Sequence, residues 1–298
     1  MNTGVLAANP ARTRAADLLQ LSKPRLNALV IATTAGGYYM GLPAAPQPAL
    51  GAAFVHTMIG TALVAASASA FNQIAERRTD GLMVRTRLRP LPDGRMQPAE
   101  AAFFAAAAGA AGLLQLALGA HPTAALVALA TLLSYTLVYT PLKRRTSFAT
   151  VVGAVPGALP PLIGWAAARG SLEPAAWTLF LIGFLWQLPH FLAIAWIYRD
   201  DYARAGLPML PVLEPDGAST GRQSVLYAAA LLPAGLAPAA LGLAGPSFVG
   251  AAIALGAGYL WLAVRFARRR TPAAARRLFV GSLVYLPLVW AAMIAAKA

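Results

Sequence analysis

Cysteine is absent from this sequence, and charge is scarce: 11% of its 298 residues are Asp, Glu, Lys or Arg. Without cysteine there is no disulfide, no thiolate metal site and no cysteine nucleophile. The scarcity of charge excludes more. A soluble domain carries about 25% charged residues, so most of this chain is built to avoid water. Negative charge is the rarest, with 10 Asp and Glu against 24 Lys and Arg and a net charge of +14. In a soluble protein that excess would point to nucleic acid. Here the basic residues lie between apolar runs, and no nucleic-acid partner is expected. A cleavable leader pattern is also missing, because Met1 to Pro24 is polar and basic with no apolar stretch before the first long run. That leaves targeting to the first span.

What is present is hydrophobic length: 58% of the residues are apolar. Nine runs approach the roughly 20 residues that cross a bilayer as a helix. They cover 27–43, 50–71, 98–119, 122–141, 147–167, 175–197, 224–244, 246–264 and 276–296. The expected fold is an all-α polytopic transmembrane bundle. Residues 1–26 form a cytoplasmic N-terminal segment and 27–298 a single transmembrane domain. Alanine-rich stretches such as 101–112 offer small helix faces that pack closely in lipid.

Basic residues favour cytoplasmic loops. With the N-terminus inside, all 24 of them except Arg169 and Lys297 fall on the inner side, Arg12 and Arg14 at the start among them. A wrong span count would scatter this pattern. The inner loops alternate between long acidic-basic ones, after spans two and six, and short basic ones, after spans four and eight. That period of four helices suggests two four-helix halves plus one helix.

The rare acids cluster at inner helix ends. Asn72, Glu76 and Asp80 are four residues apart and share roughly an 80° arc of a helix. Such an oxygen stripe suits Mg²⁺, which takes one or two carboxylates and completes its shell with phosphate. A solvated helix end with Glu–Arg pairs is the plain alternative. Arg85, Arg87 and Arg89 follow at once, with planar donors suited to phosphate. Lys143 and Arg144 add a basic cluster after Tyr139, although topology alone also makes such loops basic. Asp200 and Asp201 end span six, and acids on two helices could hold two metals across one diphosphate. His190 lies inside a span, where an ionisable group is a functional candidate or a neutral interhelical hydrogen-bonding residue.

Read together, these strings resemble the UbiA-type intramembrane prenyltransferase superfamily, and within it the heme-farnesylating branch, from about Ser22 to the last span. Asn72, Glu76 and Asp80 match the superfamily marker Asn-x3-Asp-x3-Asp. The branch is matched by Met-x-Arg-Thr-x2-Arg-Pro-Leu at 83–91, Tyr-Thr-x-Leu-Lys-Arg at 139–144 and Trp-Gln-x-Pro-His-Phe at 186–191. Asp-Tyr-x2-Ala-Gly-x-Pro-Met-Leu-Pro at 201–211 completes the set. Two departures stand out. Glu76 replaces the usual Asp, and Arg204 and Ala205 stand four residues after Asp200 and Asp201, where many relatives repeat the acid.

The resemblance implies a Mg²⁺-dependent transferase in a bacterial plasma (inner) membrane, with its site near the cytoplasmic face. Farnesyl diphosphate and heme B would be its substrates, heme O its product, and heme-copper oxidases the eventual users. Catalytic roles fall to Asn72, Glu76, Asp80, Asp200 and Asp201, with Asn72, Glu76, Asp80 and Asp201 as metal ligands. Arg85, Arg87, Arg89, Lys143 and Arg144 would bind diphosphate. Tyr139, His190, Tyr198 and Tyr202 would meet substrate or heme. Handover to a heme A synthase is a further family-level expectation. Prenylation of an aromatic quinone precursor and, in another class, transport are the alternatives.

Overall fold

The computed structural model of the protein describes residues 13–43 and 50–298; Arg12 and the rest of 1–12 lie outside the described residues. Among the described residues the architecture is helical throughout. A short amphipathic helix, α1 (Arg14–Leu21), leads into α2 (Pro24–Gly41) and then the long α3 (Ala52–Leu82). Next come α4 (Pro98–Gly119), α5 (Pro122–Leu133), a π-helical turn (Ser134–Tyr139) and the stub α6 (Thr140–Leu142). The fifth span is broken into α7 (Ala149–Ala158) and α8 (Pro160–Arg169). The chain continues through α9 (Pro174–Ile197), the short α10 (Arg199–Arg204) and α11 (Leu210–Leu213), and ends with α12 (Ala218–Ala240), α13 (Pro246–Arg269) and α14 (Pro272–Ala295).

Among the described residues the helices are roughly consistent with the nine apolar runs. Eight are long and apolar enough to cross a membrane by length and composition. The helix over the first apolar run, α2, falls outside those eight; it is 18 residues long and packs along α8. Proline punctuates the fold. Seven helices begin with it, at Pro24, Pro98, Pro122, Pro160, Pro174, Pro246 and Pro272. At that position its missing N–H has no intrahelical partner to lose.

Two apolar cores share one seam. Residues of α9, α12, α13 and α14 make the first, with Trp186, Phe248, Phe266 and Trp290 buried in it. The second gathers residues of α2, α3, α4, α5 and α8. Met40 and Trp165 belong to the first core, while their neighbours Tyr38 and Ala166 belong to the second. Hence α2 and α8 form the seam. They cross at backbone contact: a Cβ on Gly164 would overlap the carbonyl oxygen of Thr34, and one on Gly37 would overlap that of Pro161.

Three departures from the apolar-run reading bear on the site. First, α3 continues to Leu82 as a 31-residue helix, roughly 46 Å at 1.5 Å per residue. The run of hydropathy ends near residue 71, but the helix carries Asn72, Glu76 and Asp80 onward. Second, the span around 122–141 changes to π-helical hydrogen bonding before Pro141: the Thr140 N–H donates to the Tyr135 carbonyl, five residues back. Proline cannot donate to the carbonyl four residues earlier, and its ring collides with that carbonyl. A wider turn accommodates it. Third, the Pro160–Pro161 pair splits the run at 147–167 into two helices.

The two long loops at the acidic end fold against each other. Met83, Tyr202, Ala205, Leu207 and Met209 form a small core of their own. Beside it, α1 is fastened by Arg95, which donates to Asp17 at 3.1 Å, and by Gln73, which donates to the Leu21 carbonyl at 2.6 Å.

Candidate active site

The stripe on α3 faces inward. Asn72, Glu76 and Asp80 are 3%, 6% and 1% exposed, and each meets a base brought from a different segment. Lys23, at the corner between α1 and α2, donates to Asn72 Oδ1 at 2.9 Å. Lys143, just after α6, donates to both Glu76 oxygens at 3.0 and 3.2 Å. Arg89, in the loop after α3, pairs with Asp80 Oδ2 at 2.7 Å. Asn72 also donates to Thr140 Oγ1 at 3.3 Å, and Thr140 donates to the Tyr135 carbonyl at 2.8 Å. The π turn is thereby tied to the stripe.

Lys23 adopts the left-handed region, with φ 48°, uncommon for a residue with a side chain. Its conformation turns the ammonium under α3 instead of outward. Burial, seconded by Arg89, brings Lys23 down from the ordinary lysine range to about 7. Burial also opposes the charge on Lys143, yet Tyr139 and Glu76 together keep that ammonium above the usual lysine range.

These groups line the polar end of a cavity of about 340 Å³, within the size range of small-molecule sites. Apolar walls continue inward through Leu26, Val30, Ala65, Ala68, Pro156 and Phe191. Asn72 meets Thr140 and Glu76 meets Lys143, so α3 and the segment 131–143 run side by side in the same sense. Ala68 with Tyr135, then Ala65 with Thr131, line successively deeper levels. The arrangement is a charged mouth on an apolar pocket, suited to a molecule with an anionic head and a hydrocarbon tail.

Asp80 Oδ1 is buried without a hydrogen-bond partner. A buried carboxylate oxygen rarely stays unsatisfied. With Glu76 and the Asn72 amide it forms a hard-oxygen set on one stripe, the chemistry that Mg²⁺ takes. The donor chemistry fits such an ion, with Asp80 Oδ1 open to it and the Glu76 and Asn72 oxygens held by Lys143 and Lys23.

The structure brings together Asn72, Glu76, Asp80, Arg85, Arg89, Tyr139, Lys143 and Tyr202 of the residues expected from sequence. It separates the others. Asp200, with its side chain 87% exposed, lies 3.8 Å from Arg199. Asp201 is bound by Arg204, and neither acid lines the cavity. Arg87 is exposed, and Arg144 donates to the Ala75 carbonyl at 2.9 Å. Tyr198 lies beneath the Arg85 guanidinium, 5.5 Å from ring centroid to Arg85 Cζ. His190 sits in the α9–α14 interface, 2.7 Å from Ser282 Oγ and beside the rings of Trp186 and Phe279.

Lys23, Tyr135 and Asn27 also line the cavity, and sequence reasoning missed them as site residues. A signal existed for Lys23. The chain uses lysine at 23, 143 and 297 and arginine at every other basic position, and the first two of these lysines point into the cavity.

Removing the Lys143 charge tests the pairing. Lys143→Met is expected to lower stability by about 3–5 kcal/mol, because it strands the buried Glu76 carboxylate. Adding Glu76→Gln should restore most of that loss. Thermal unfolding of the single and double variants in detergent checks it; equal melting temperatures for both would exclude the coupling.

Residues 29–292 match the UbiA prenyltransferase family. The chain is 46% identical over 284 residues to the protoheme IX farnesyltransferase of Solibacter usitatus, covering 93% of this chain and 97% of that protein. It is likewise 46% identical over 282 residues to the protoheme IX farnesyltransferase of Myxococcus xanthus, covering 94% of each. Among solved structures it is similar to that of digeranylgeranylglyceryl phosphate synthase, with TM-score 0.76, 16% identity and coverage of 95% and 98%. A UbiA homolog from Archaeoglobus fulgidus bound to GPP and Mg²⁺ matches with TM-score 0.67 and 18% identity, over 93% of this chain and 99% of that one. These structural likenesses establish the fold.

Proposed function

The chain belongs to the UbiA prenyltransferase family, and from that premise we propose that it transfers the farnesyl group of farnesyl diphosphate to protoheme IX. The reaction gives heme O and diphosphate. The observation that carries the reading is the stripe of Asn72, Glu76 and Asp80, matched by Lys23, Lys143 and Arg89 at the mouth of an apolar cavity. The relatives named for this reaction supply the acceptor.

Asn72, Glu76 and Asp80 would hold Mg²⁺, which supplies a positive charge on the diphosphate as it leaves. The chain's own groups do the rest. Lys23, Arg85, Arg89 and Lys143 surround the diphosphate and stabilise the negative charge that grows on it as the C1–O bond breaks. The electron pair leaves with the diphosphate, and C1 becomes an allylic cation. Tyr135 and Tyr139, with ring centroids 5.3 Å apart, offer π faces to that cation. The apolar walls hold the isoprenoid tail and exclude water that would quench it. A porphyrin vinyl group, an electron-rich alkene, attacks C1 and forms the C–C bond. Water then adds to the resulting porphyrin-conjugated cation and loses a proton, leaving the hydroxyethylfarnesyl group.

The basic end of the bundle faces the cytoplasm of a bacterial cell in this reading, and the arginine-rich inner segments support that orientation. The test is a membrane assay with heme B, farnesyl diphosphate and Mg²⁺, with products identified by mass. Heme O is expected. Prenylation of an aromatic acid with no heme product would overturn the acceptor assignment.

The depth of the cavity makes a further prediction. Ala65 lies seven residues before Asn72, roughly 10 Å deeper along α3 at 1.5 Å per residue. Ala65→Phe is expected to raise KM for farnesyl diphosphate by about tenfold or more, while geranyl diphosphate is affected less, since small volume changes in an apolar pocket discriminate on that scale. An equal effect on both substrates would place the tail elsewhere.

A further inference from the structure

Four basic side chains, Lys23, Arg85, Arg89 and Lys143, and two carboxylates, Glu76 and Asp80, line the charged mouth. Both carboxylates belong to α3. The wall built by the segment after α9 contributes Tyr202 and Met209 but no acid. The acids at its start point elsewhere: Asp200 into solvent and Asp201 to Arg204. Four residues beyond them stand Arg204 and Ala205. A second divalent ion on this wall would therefore lack protein carboxylates.

Arg85 occupies that place. Its guanidinium donates to Tyr202 Oη at 3.2 Å and lies 5.5 and 5.3 Å from the ring centroids of Tyr198 and Tyr202. Two aromatic rings hold the cation by its face and leave its planar donors free to meet phosphate oxygens. No carboxylate pairs with it among the described residues. A second divalent ion beside this uncompensated guanidinium would be repelled. With one such ion, Arg85, Arg89, Lys143 and the two acids bring a bound diphosphate close to charge balance whether or not Lys23 carries its proton; a second ion would leave a positive excess.

We propose that this protein clamps its diphosphate with one divalent cation, held on α3, and that Arg85 takes up the charge a second cation would otherwise neutralise. The inference rests on the prenyl-diphosphate reading above. It assigns the tyrosine pair 198 and 202 a positioning role toward Arg85 and makes this arginine part of the leaving-group clamp.

The experiment is a count of bound ions on the purified full-length protein. Mn²⁺ is titrated in the presence of farnesyl diphosphate, without porphyrin, and bound metal is read by electron paramagnetic resonance. Labelled farnesyl diphosphate is measured in the same samples. One Mn²⁺ per chain is expected. Two per chain with diphosphate bound overturns the proposal and leaves the enzyme assignment standing, as does diphosphate binding with no Mn²⁺. Failure of farnesyl diphosphate itself to bind removes the prenyl-diphosphate reading and this inference with it. Arg85→Ala should weaken farnesyl diphosphate binding about tenfold to a hundredfold, the weight of a charge-assisted contact, with the ion count still one. Unchanged affinity in this variant would remove Arg85 from the clamp.

Discussion

Replacing Asp80 by Asn is expected to lower heme O formation by about a thousandfold or more, with little change in the amount of folded protein. The substitution keeps the side-chain shape and removes one negative charge at the carboxylate whose Oδ1 has no hydrogen-bond partner. Loss of one preorganised electrostatic contact to a developing charge costs about 10²–10³ in rate. An acid that also positions a metal ion should exceed that range. The structural cost is smaller, because Arg89 retains 22% side-chain exposure and can be solvated when its partner becomes neutral. Heme products quantified by mass from membranes of matched protein content decide the matter. A variant retaining more than about a tenth of the rate would place the essential carboxylate elsewhere.

The second large effect is structural and lies away from the chemistry. Gly164→Ala is expected to cost about 3 kcal/mol or more, because overpacking ordinarily costs 1–3 kcal/mol even where neighbours can shift. Here the new methyl would meet the Thr34 carbonyl oxygen and the Tyr38 nitrogen, backbone atoms that cannot rotate away. Native stability is of the order of 5–15 kcal/mol, so one methyl group removes a substantial part of it. Small residues at helix crossings are what bring membrane helices close, and this crossing joins the two cores. Gly250→Ala and Gly258→Ala on α13 are the controls, since a Cβ there meets nothing within 4 Å. Monodisperse yield and melting temperature in detergent should fall sharply for the first variant and stay near wild type for the others. Equal behaviour of all three would mean the crossing can relax.

Much of this architecture is legible in the sequence for physical reasons. Apolar runs of bilayer length have few alternatives to helix in lipid, and prolines mark where most of them start. The charged stripe on α3 is legible because a four-residue period survives translation into a helix face. The reach of α3 to Leu82 is not, because hydropathy reports contact with lipid and the helix outlasts that contact. Asp200 and Asp201 show a second limit. Adjacent residues on a helix point about 100° apart, and nothing in the linear order says which one looks inward; here neither lines the cavity. Lys23 was hidden by topology, since any basic residue near an inner helix end already has an explanation.

The charge ladder also has an order in time. Lys23 is synthesised 49 residues before its partner Asn72, while Lys143 follows Glu76 by 67 residues. At translation rates of 5–20 residues per second, Glu76 leaves the ribosome about 3–13 s before its own partner exists. Lys23, already made, is the nearby cation available during that interval, next to Arg77, Arg78 and then Arg89. The corner between α1 and α2 can therefore hold the acidic end of α3 in place until the fourth span has been inserted. The site is completed late in biogenesis, and a chain arrested before Lys143 would carry Glu76 without the base that finally neutralises it, although Asp80 would already have Arg89.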